Sequence, residues 1–333
     1  MHSGLSRLNS IRVDSNQGRT LSELTFDAYV QAIRVAEVVY LKTGPTTAHW
    51  RHELCSLETS AIQFGSDGSP RIVHGTMPPD TCIFIFQSTQ HPDVVILDGQ
   101  LIHWSDLVVL PPSHHFTFVV NVPVSWIAVS LPIPTAEKML FGSRYKNSNT
   151  RGYGRLTCRV SESSMRELVK IAEDARLVRQ DATQDKVKIE ADLLSKLRAM
   201  MEVAVALDRP SPSASSAEGL IRDALTYVER KEAKNIQVDD LVNVTQVEYR
   251  TLLRAFQRYL RITPKRYLKL RQLNLVRRAL HAPQEPSKSA LDIMADFGVT
   301  EFGRFAADYK RLFDELPSET LGRASPIGGK ILV

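Results

Sequence analysis

Arg250, Arg254 and Gln257 fall on one side of a helical wheel, and Tyr249 opens the same stretch. An arginine fork can grip guanine O6 and N7 with two parallel hydrogen bonds. Glutamine can grip adenine in the same manner, and tyrosine can reach a phosphate or a base edge. Further on, Glu301 and Arg304 stand three residues apart at another helical stretch. A carboxylate there can accept from a cytosine amino group or repel phosphate, and Arg304 can again read guanine. Arg250, Arg254 and Arg304 are the candidates for base contact. Lys265 and Arg266 are candidates for phosphate.

These side chains need helices to present them. From Tyr249 to Gln284 the chain carries ten Lys or Arg and no Asp or Glu, although its formal net charge is only +5. Apolar residues are interleaved at helical spacing: Leu252, Leu253, Phe256, Tyr259 and Leu260, then Tyr267, Leu270, Leu273, Val276 and Leu280. A helix with one basic and one apolar face expects a polyanionic partner. Residues 238–256 read as a short helix, a turn near Gln246-Val247 and a second helix, held by Leu241, Val247, Leu252 and Phe256. Thr263 and Pro264 cap and open a long helix reaching about His281. The pattern is echoed at 290–309, with a turn at Gly298 and with Phe302, Phe305 and Tyr309 on the apolar side of the second helix.

This tandem resembles the DNA-binding domain of the AraC/XylS family of bacterial transcription regulators. The first motif matches at Asp240-Leu241, Arg250 to Phe256, Ile262 to Leu268, Arg271 to Leu273 and Val276 to Leu280. The second matches at Asp292-Ile293, Phe297-Gly298, Gly303 to Lys310, Phe313 and Pro317-Ser318. Together they cover about Gly219 to Leu321. The resemblance implies two helix-turn-helix units joined by a long helix, with reading helices in successive major grooves ~34 Å apart. It also implies a promoter DNA partner, RNA polymerase as a further partner, and a homodimer that acts as an activator. Gly303 to Ala306 resembles the corresponding stretch in regulators of amine and amino-acid catabolism. The chain departs from the family at Val242 and Met294 (usually small), Gln246 (usually Gly), Glu248 (usually Ser or Thr), Val299 (usually aromatic) and Asp314 (usually near a Gly). An alternative reading is therefore a diverged regulator that acts mainly through protein–protein contacts, with weak or non-specific DNA binding.

Upstream the texture changes. Short β-like runs at Cys82 to Phe86, Val94 to Leu97, Leu107 to Leu110, Phe116 to Val120 and Trp126 to Leu131 are broken by turn residues such as Asp98-Gly99 and Pro111-Pro112. This spacing predicts an antiparallel sandwich or barrel. Ser105 to Phe116 resembles the strand–turn–strand of cupin-like barrels, and AraC/XylS proteins commonly carry such an effector-binding barrel followed by dimerisation helices. The fold expected is thus α+β, with an amino-terminal cupin-like antiparallel β-barrel and a carboxy-terminal all-α domain. The expected divisions are a β-rich effector-binding domain over 1–160, dimerisation helices over 161–207 and a Pro/Ser linker over 208–217. The DNA-binding domain would follow over 218–322, and a tail over 323–333. Phe84, Phe86, Trp104, His114 and Trp126 are the effector-pocket candidates, against the plainer reading that such aromatics fill the core.

No enzyme chemistry is expected. The histidines form no H-x-H pair with a following Glu, so neither metal nor cofactor is expected. No nucleophile elbow, P-loop or dinucleotide fingerprint occurs. Cys55, Cys82 and Cys158 are odd in number and far apart, reading as buried thiols of a reducing compartment. Residues 1–15 lack the apolar core of a secretory signal, and no apolar run reaches the ~18 residues of a membrane helix. A cytoplasmic, nucleoid-associated protein without a membrane partner is expected.

Overall fold

The computed structural model describes residues 23–33, 36–90, 94–140, 156–178, 182–203, 205–206, 212–230, 236–282 and 288–324. The basic, glycine-rich segment 141–155 and the first residues of the expected linker lie outside them.

The strands are β1 (Glu23–Leu24), β2 (Glu37–Lys42), β3 (Trp50–Ser56), β4 (Ala61–Ser66), β5 (Arg71–Thr76), β6 (Thr81–Gln87) and β7 (Val95–Leu97). They continue with β8 (Gln100–Ile102), β9 (Asp106–Leu110), β10 (His115–Val120), β11 (Ser125–Pro132), β12 (Leu156–Arg159) and β13 (Val205–Ala206). The helices of the amino-terminal half are α1 (Phe26–Ala32), α2 (Ile133–Leu140), α3 (Glu162–Leu177) and α4 (Thr183–Val203). Those of the carboxy-terminal half are α5 (Pro212–Arg230), α6 (Val238–Thr245), α7 (Tyr249–Tyr259), α8 (Pro264–His281), α9 (Ala290–Asp296), α10 (Phe302–Phe313) and α11 (Pro317–Ala324). The protein is α+β, with antiparallel sheets first and a helical unit last.

The strands do not close into the expected barrel. Among the described residues they form two separate antiparallel sheets, ordered β1-β3-β4-β11-β6-β9-β12-β13 and β2-β5-β10-β7-β8. Alternation along each strand sends every second side chain to the opposite face. Ile83 and Val108 from the first sheet and Val73, Val95 and Phe116 from the second meet in one apolar layer. Cys82, Phe84, Val109 and Val129 point the other way, against α3 and α4. Each fully buried Leu, Ile or Phe of this kind contributes about 1.5–3 kcal/mol. Asp98 and Gly99 both take positive φ, as the tight hairpin turn between β7 and β8 requires. The three cysteines are all buried, and burial pushes the pKa of the Cys82 thiol up to about 12.

Two other expectations change. The Pro/Ser stretch is not linker throughout, because α5 begins at Pro212. The second middle helix ends at Val203, and the chain then adds β13 to the first sheet by pairing with β12.

The second sheet is packed on its outer side as well, except at β8, where Leu101 is exposed. Leu41, Ile72, Ile96 and Val119 on its outer side share a core with Phe256, Tyr267, Leu270 and Leu273 of the carboxy-terminal helices. Asn274 ties α8 to the end of β2, accepting from the Lys42 backbone N–H at 3.1 Å and donating to the Lys42 carbonyl at 3.2 Å. Arg277 bridges Asp27 of α1, at 2.9 Å, and Glu315, at 2.5 Å. His74 of β5 sits between Tyr267 Oη, at 3.0 Å, and Glu229, at 2.6 Å.

The Lys42 ammonium is the misfit at this junction. Burial first, and the nearby Arg277 guanidinium second, push its pKa down to about 8. The native state then binds that proton less tightly than the unfolded chain does, so the charged amine weakens the fold at neutral pH. Stability should rise between pH 8 and about pH 10.4, by on the order of 2–3 kcal/mol from this group. Urea unfolding of Lys42→Met should show higher stability at pH 7 and should lack that part of the alkaline rise.

Candidate nucleic-acid interface

Each of the two helix pairs starts with the same device. The Asp240 carboxylate accepts from the Gln237 N–H at 2.8 Å ahead of α6, and Asp292 accepts from the Ser289 N–H at 2.9 Å ahead of α9. One turn on, Leu241 and Ile293 are fully buried. An aspartate at N3 satisfies an otherwise orphaned amide and sets the entry angle of the helix. The turns that follow need the left-handed region. Gly298 supplies it in the second pair, with φ 71°, whereas Gln246 takes φ 52° and ψ 37° in the first.

The second helix of each pair is split by burial. On α7, Leu252, Ala255, Phe256 and Tyr259 are buried, while Tyr249, Arg250, Arg254 and Gln257 are exposed. On α10, Phe305, Tyr309, Leu312 and Phe313 are buried, and Gly303 and Arg304 are exposed. Phe302, expected on the apolar side, sits exposed at the first turn of α10. A Cβ on Gly303 would meet nothing within 4 Å, so the start of α10 presents bare backbone. Thr263 caps α8 by accepting from the Arg266 N–H at 3.2 Å, leaving Lys265 and Arg266 exposed on the first turn. Eighteen residues of α8 span ~27 Å at 1.5 Å per residue and separate the two pairs.

An acid stands at the start of both α7 and α10. Glu248 and Glu301 occupy the N-cap positions of α7 and α10, and neither side chain makes a capping bond. Their charge still favours the positive helix end. Glu301 lies 3.4 Å from Arg304, both largely exposed, so water screens the pair and it is worth little.

Part of the acid-free run does not face outward. Arg271 donates to the Val228 carbonyl at 2.5 Å, Lys269 lies over the Phe305 ring and 3.6 Å from Asp308, and Arg277 is buried. These three brace the fold. Arg250, Arg254, Arg258, Arg261, Lys265, Arg266 and Arg278 remain exposed. The junction residues Asn274 and Arg277 also escaped notice. Their signal was present, because Leu270, Leu273, Asn274 and Arg277 lie at i, i+3, i+4 and i+7 on the inward stripe of α8.

The effector candidates scatter. Phe86 and Trp126 line a cavity of about 100 Å³ between the sheets. Phe84 and Trp104 pack in the other core, toward α3 and α4. His114 lies outside the cavity lining, 3.9 Å from Asp98.

A family model described as a helix-turn-helix domain matches residues 241–323. The XylDLEGF operon transcriptional activator of Pseudomonas putida is 31% identical over 129 residues, 39% of this chain and 39% of that protein. A probable thc operon regulatory protein of Rhodococcus erythropolis is 32% identical over 103 residues, 31% of each chain. A solved structure of a probable AraC family transcriptional regulator from Rhodopseudomonas palustris is 30% identical. It covers 32% of this chain and 99% of its own, with a TM-score of 0.30. The chain thus spans about two fifths of the length of the Pseudomonas relative, and the helix-turn-helix model matches its carboxy-terminal part.

The strained turn makes a prediction. A side chain held in the left-handed region costs about 1 kcal/mol relative to glycine. Gln246→Gly should therefore raise the thermal midpoint by a few degrees, with the far-UV spectrum unchanged.

Proposed function

We propose that this chain, which belongs to the AraC/XylS family of regulators through its carboxy-terminal domain, binds promoter DNA and regulates transcription in answer to a small molecule. The observation that carries the reading is the split surface of α7 and α10. Each buries an aromatic face and turns Arg250, Arg254 and Gln257, or Arg304, outward. Arg250, Arg254 and Arg304 read bases. Tyr249, Gln257 and Glu301 reach base edges or the backbone, and Lys265 and Arg266 hold phosphate. Activation is the mode favoured by the name of the Pseudomonas putida relative, a transcriptional activator, and RNA polymerase is the partner such activation needs.

The amino-terminal sheets hold the effector between them, and their contact with α8 carries the signal. β5 supports this division of labour. Arg71 and Val73 line the cavity, while Ile72 and His74 on the same strand face the carboxy-terminal helices. The helices α3 and α4 pair two subunits, with Leu177, Val187 and Val203 exposed for that contact. A cytoplasmic location fits a promoter-binding role, and no helix among the described residues is long and apolar enough to cross a membrane.

A second reading has its own observation. The uncapped acids Glu248 and Glu301 stand at the ends of α7 and α10 that would approach DNA. A regulator working mainly through protein contacts, with weak or sequence-blind DNA binding, would tolerate them.

Fluorescence anisotropy on DNA upstream of the chain's own gene separates the two. Specific binding should fall steeply with salt, as counterion release requires. Arg254→Ala or Arg304→Ala should cost ~1–3 kcal/mol and relax preference at one base pair. Lys265→Ala and Arg266→Ala should weaken all sequences alike. Equal, sequence-blind losses from all four would sink the assignment of readers. Asn274→Leu removes two buried bonds across the junction. It should cost about 1–3 kcal/mol of stability and make promoter affinity less responsive to effector, which anisotropy with and without effector would show.

A further inference from the structure

We propose that the cavity between the two sheets binds a small hydrocarbon-like molecule, an uncharged apolar body of about four to five carbons that carries no hydrogen-bonding group. The proposal rests on the reading of the amino-terminal sheets as an effector domain and names the chemistry of what they hold.

The strands around the space bond to one another through their backbones, so side chains decide what the walls offer. Val73, Ile83, Val108, Phe116 and the Trp126 ring make those walls apolar. Ile85 and Phe118, which stay half-buried, extend the same surface. The polar groups of the lining are turned away or engaged. Arg71 is neutralised by Asp67 in a buried ion pair, and its Nε has no surface open to the cavity. Gln87 Oε1 is closed off in the same way. Trp126 donates its Nε1–H to Tyr29 Oη at 3.1 Å. Burial holds the Tyr40 phenol well above its ordinary pKa, so it carries no charge.

Charge decides first against ionic ligands. A carboxylate would have to take Arg71 from Asp67. An ammonium would find no open carboxylate, since Asp67 already holds Arg71 and accepts from Tyr29 Oη at 2.6 Å. Either ion would bring an unmatched charge into an apolar space. A hydroxyl or an amide gives up its bonds to water on entry, and the closed-off Arg71 Nε and Gln87 Oε1 return none. Water is a poor occupant for the same reason, because it needs two to four polar partners. An apolar molecule gives up no hydrogen bond and removes its own surface and that of the walls from water. Size narrows the class further. A cavity of about 150 Å³ holds benzene, so about 100 Å³ suits a body of about four to five carbons.

A ring series of constant shape tests this on the full chain. Cyclopentane, cyclopentanol, cyclopentanecarboxylate and cyclopentylammonium would be titrated by calorimetry and thermal shift. Cyclopentane should bind at least about tenfold more tightly than cyclopentanol. The two ions should not bind measurably. Ala128→Ile puts a larger side chain into the cavity wall. It should abolish cyclopentane binding while circular dichroism shows the fold retained. Ile85→Ala enlarges the space instead and should reverse a preference for cyclopentane over cycloheptane. Binding of cyclopentanol or of either ion as tight as that of cyclopentane would overturn the proposed class. No binding of cyclopentane, or undiminished binding to folded Ala128→Ile, would overturn the site. Should Ala128→Ile not fold, an unchanged ring-size preference in Ile85→Ala would do the same. If cyclopentane binds as expected and promoter affinity does not change with it, the effector reading falls and the ligand class stands.

Discussion

Strand β5 is the constraint on which the arrangement turns. It is one residue thick, and its side chains alternate between two cores. Arg71 and Val73 face the layer between the sheets, and Ile72 and His74 face the helical unit. Neither side can be repacked alone, because a shift of one residue in register would exchange the two sets. The buried pair of Arg71 with Asp67 pins the strand from one side, and the contact of His74 with Tyr267 and Glu229 pins it from the other. Burial holds the Tyr267 phenol well above its ordinary pKa, so it stays a neutral partner.

The long helix α8 is shaped by the same division. Its sequence looks like one basic amphipathic band, and the exposed start at Lys265 and Arg266 suits that description. Its middle and end are spent on structure. Asn274 completes the edge of β2 through the Lys42 backbone, and Arg277 neutralises Asp27 and Glu315. The acid-free run therefore overstates the charge available to a polyanion. Its missing acids lie elsewhere in the sequence: Asp308 and Glu315 come from the same helical half, and Asp27 comes from the amino-terminal one.

That distinction sets what was legible in the chain. Local signals were reliable: the Asp98-Gly99 turn, the Thr263–Pro264 helix start and the apolar residues Leu252, Phe256, Phe305 and Tyr309 of α7 and α10 all follow from near neighbours. Gln246, standing where the family usually has Gly, takes positive φ. Relations between distant segments were not legible. Alternating strands fit a closed barrel or two sheets equally well, and only pairing decides, here for two. Phe84 and Phe86 look equivalent as pocket candidates, yet Phe84 packs solely in the core toward α3 and α4 while Phe86, at the strand end, reaches the cavity. The polar residues on the inward stripe of α8 were readable as an anomaly, but their partners were not.

A junction that answers to a small molecule must lie near balance. A ligand can shift an equilibrium only by its difference in affinity for the two states, and moving a population from 1:99 to 99:1 takes about 5.5 kcal/mol. A small ligand is bounded near 1.5 kcal/mol per non-hydrogen atom at best, and most of that is common to both states. A strongly favourable junction would lie beyond its reach. The contacts seen here are of the moderate kind. Buried ion pairs such as Arg277 with Glu315 recover in attraction roughly what they lose in hydration. Lys42 works against closure at neutral pH, since burial depresses its pKa to about 8. The apolar contacts of Leu41, Ile72, Ile96 and Val119 supply the favourable side. A junction balanced in this way can be tipped by a few kcal/mol delivered to β5, the strand that the cavity and α8 share.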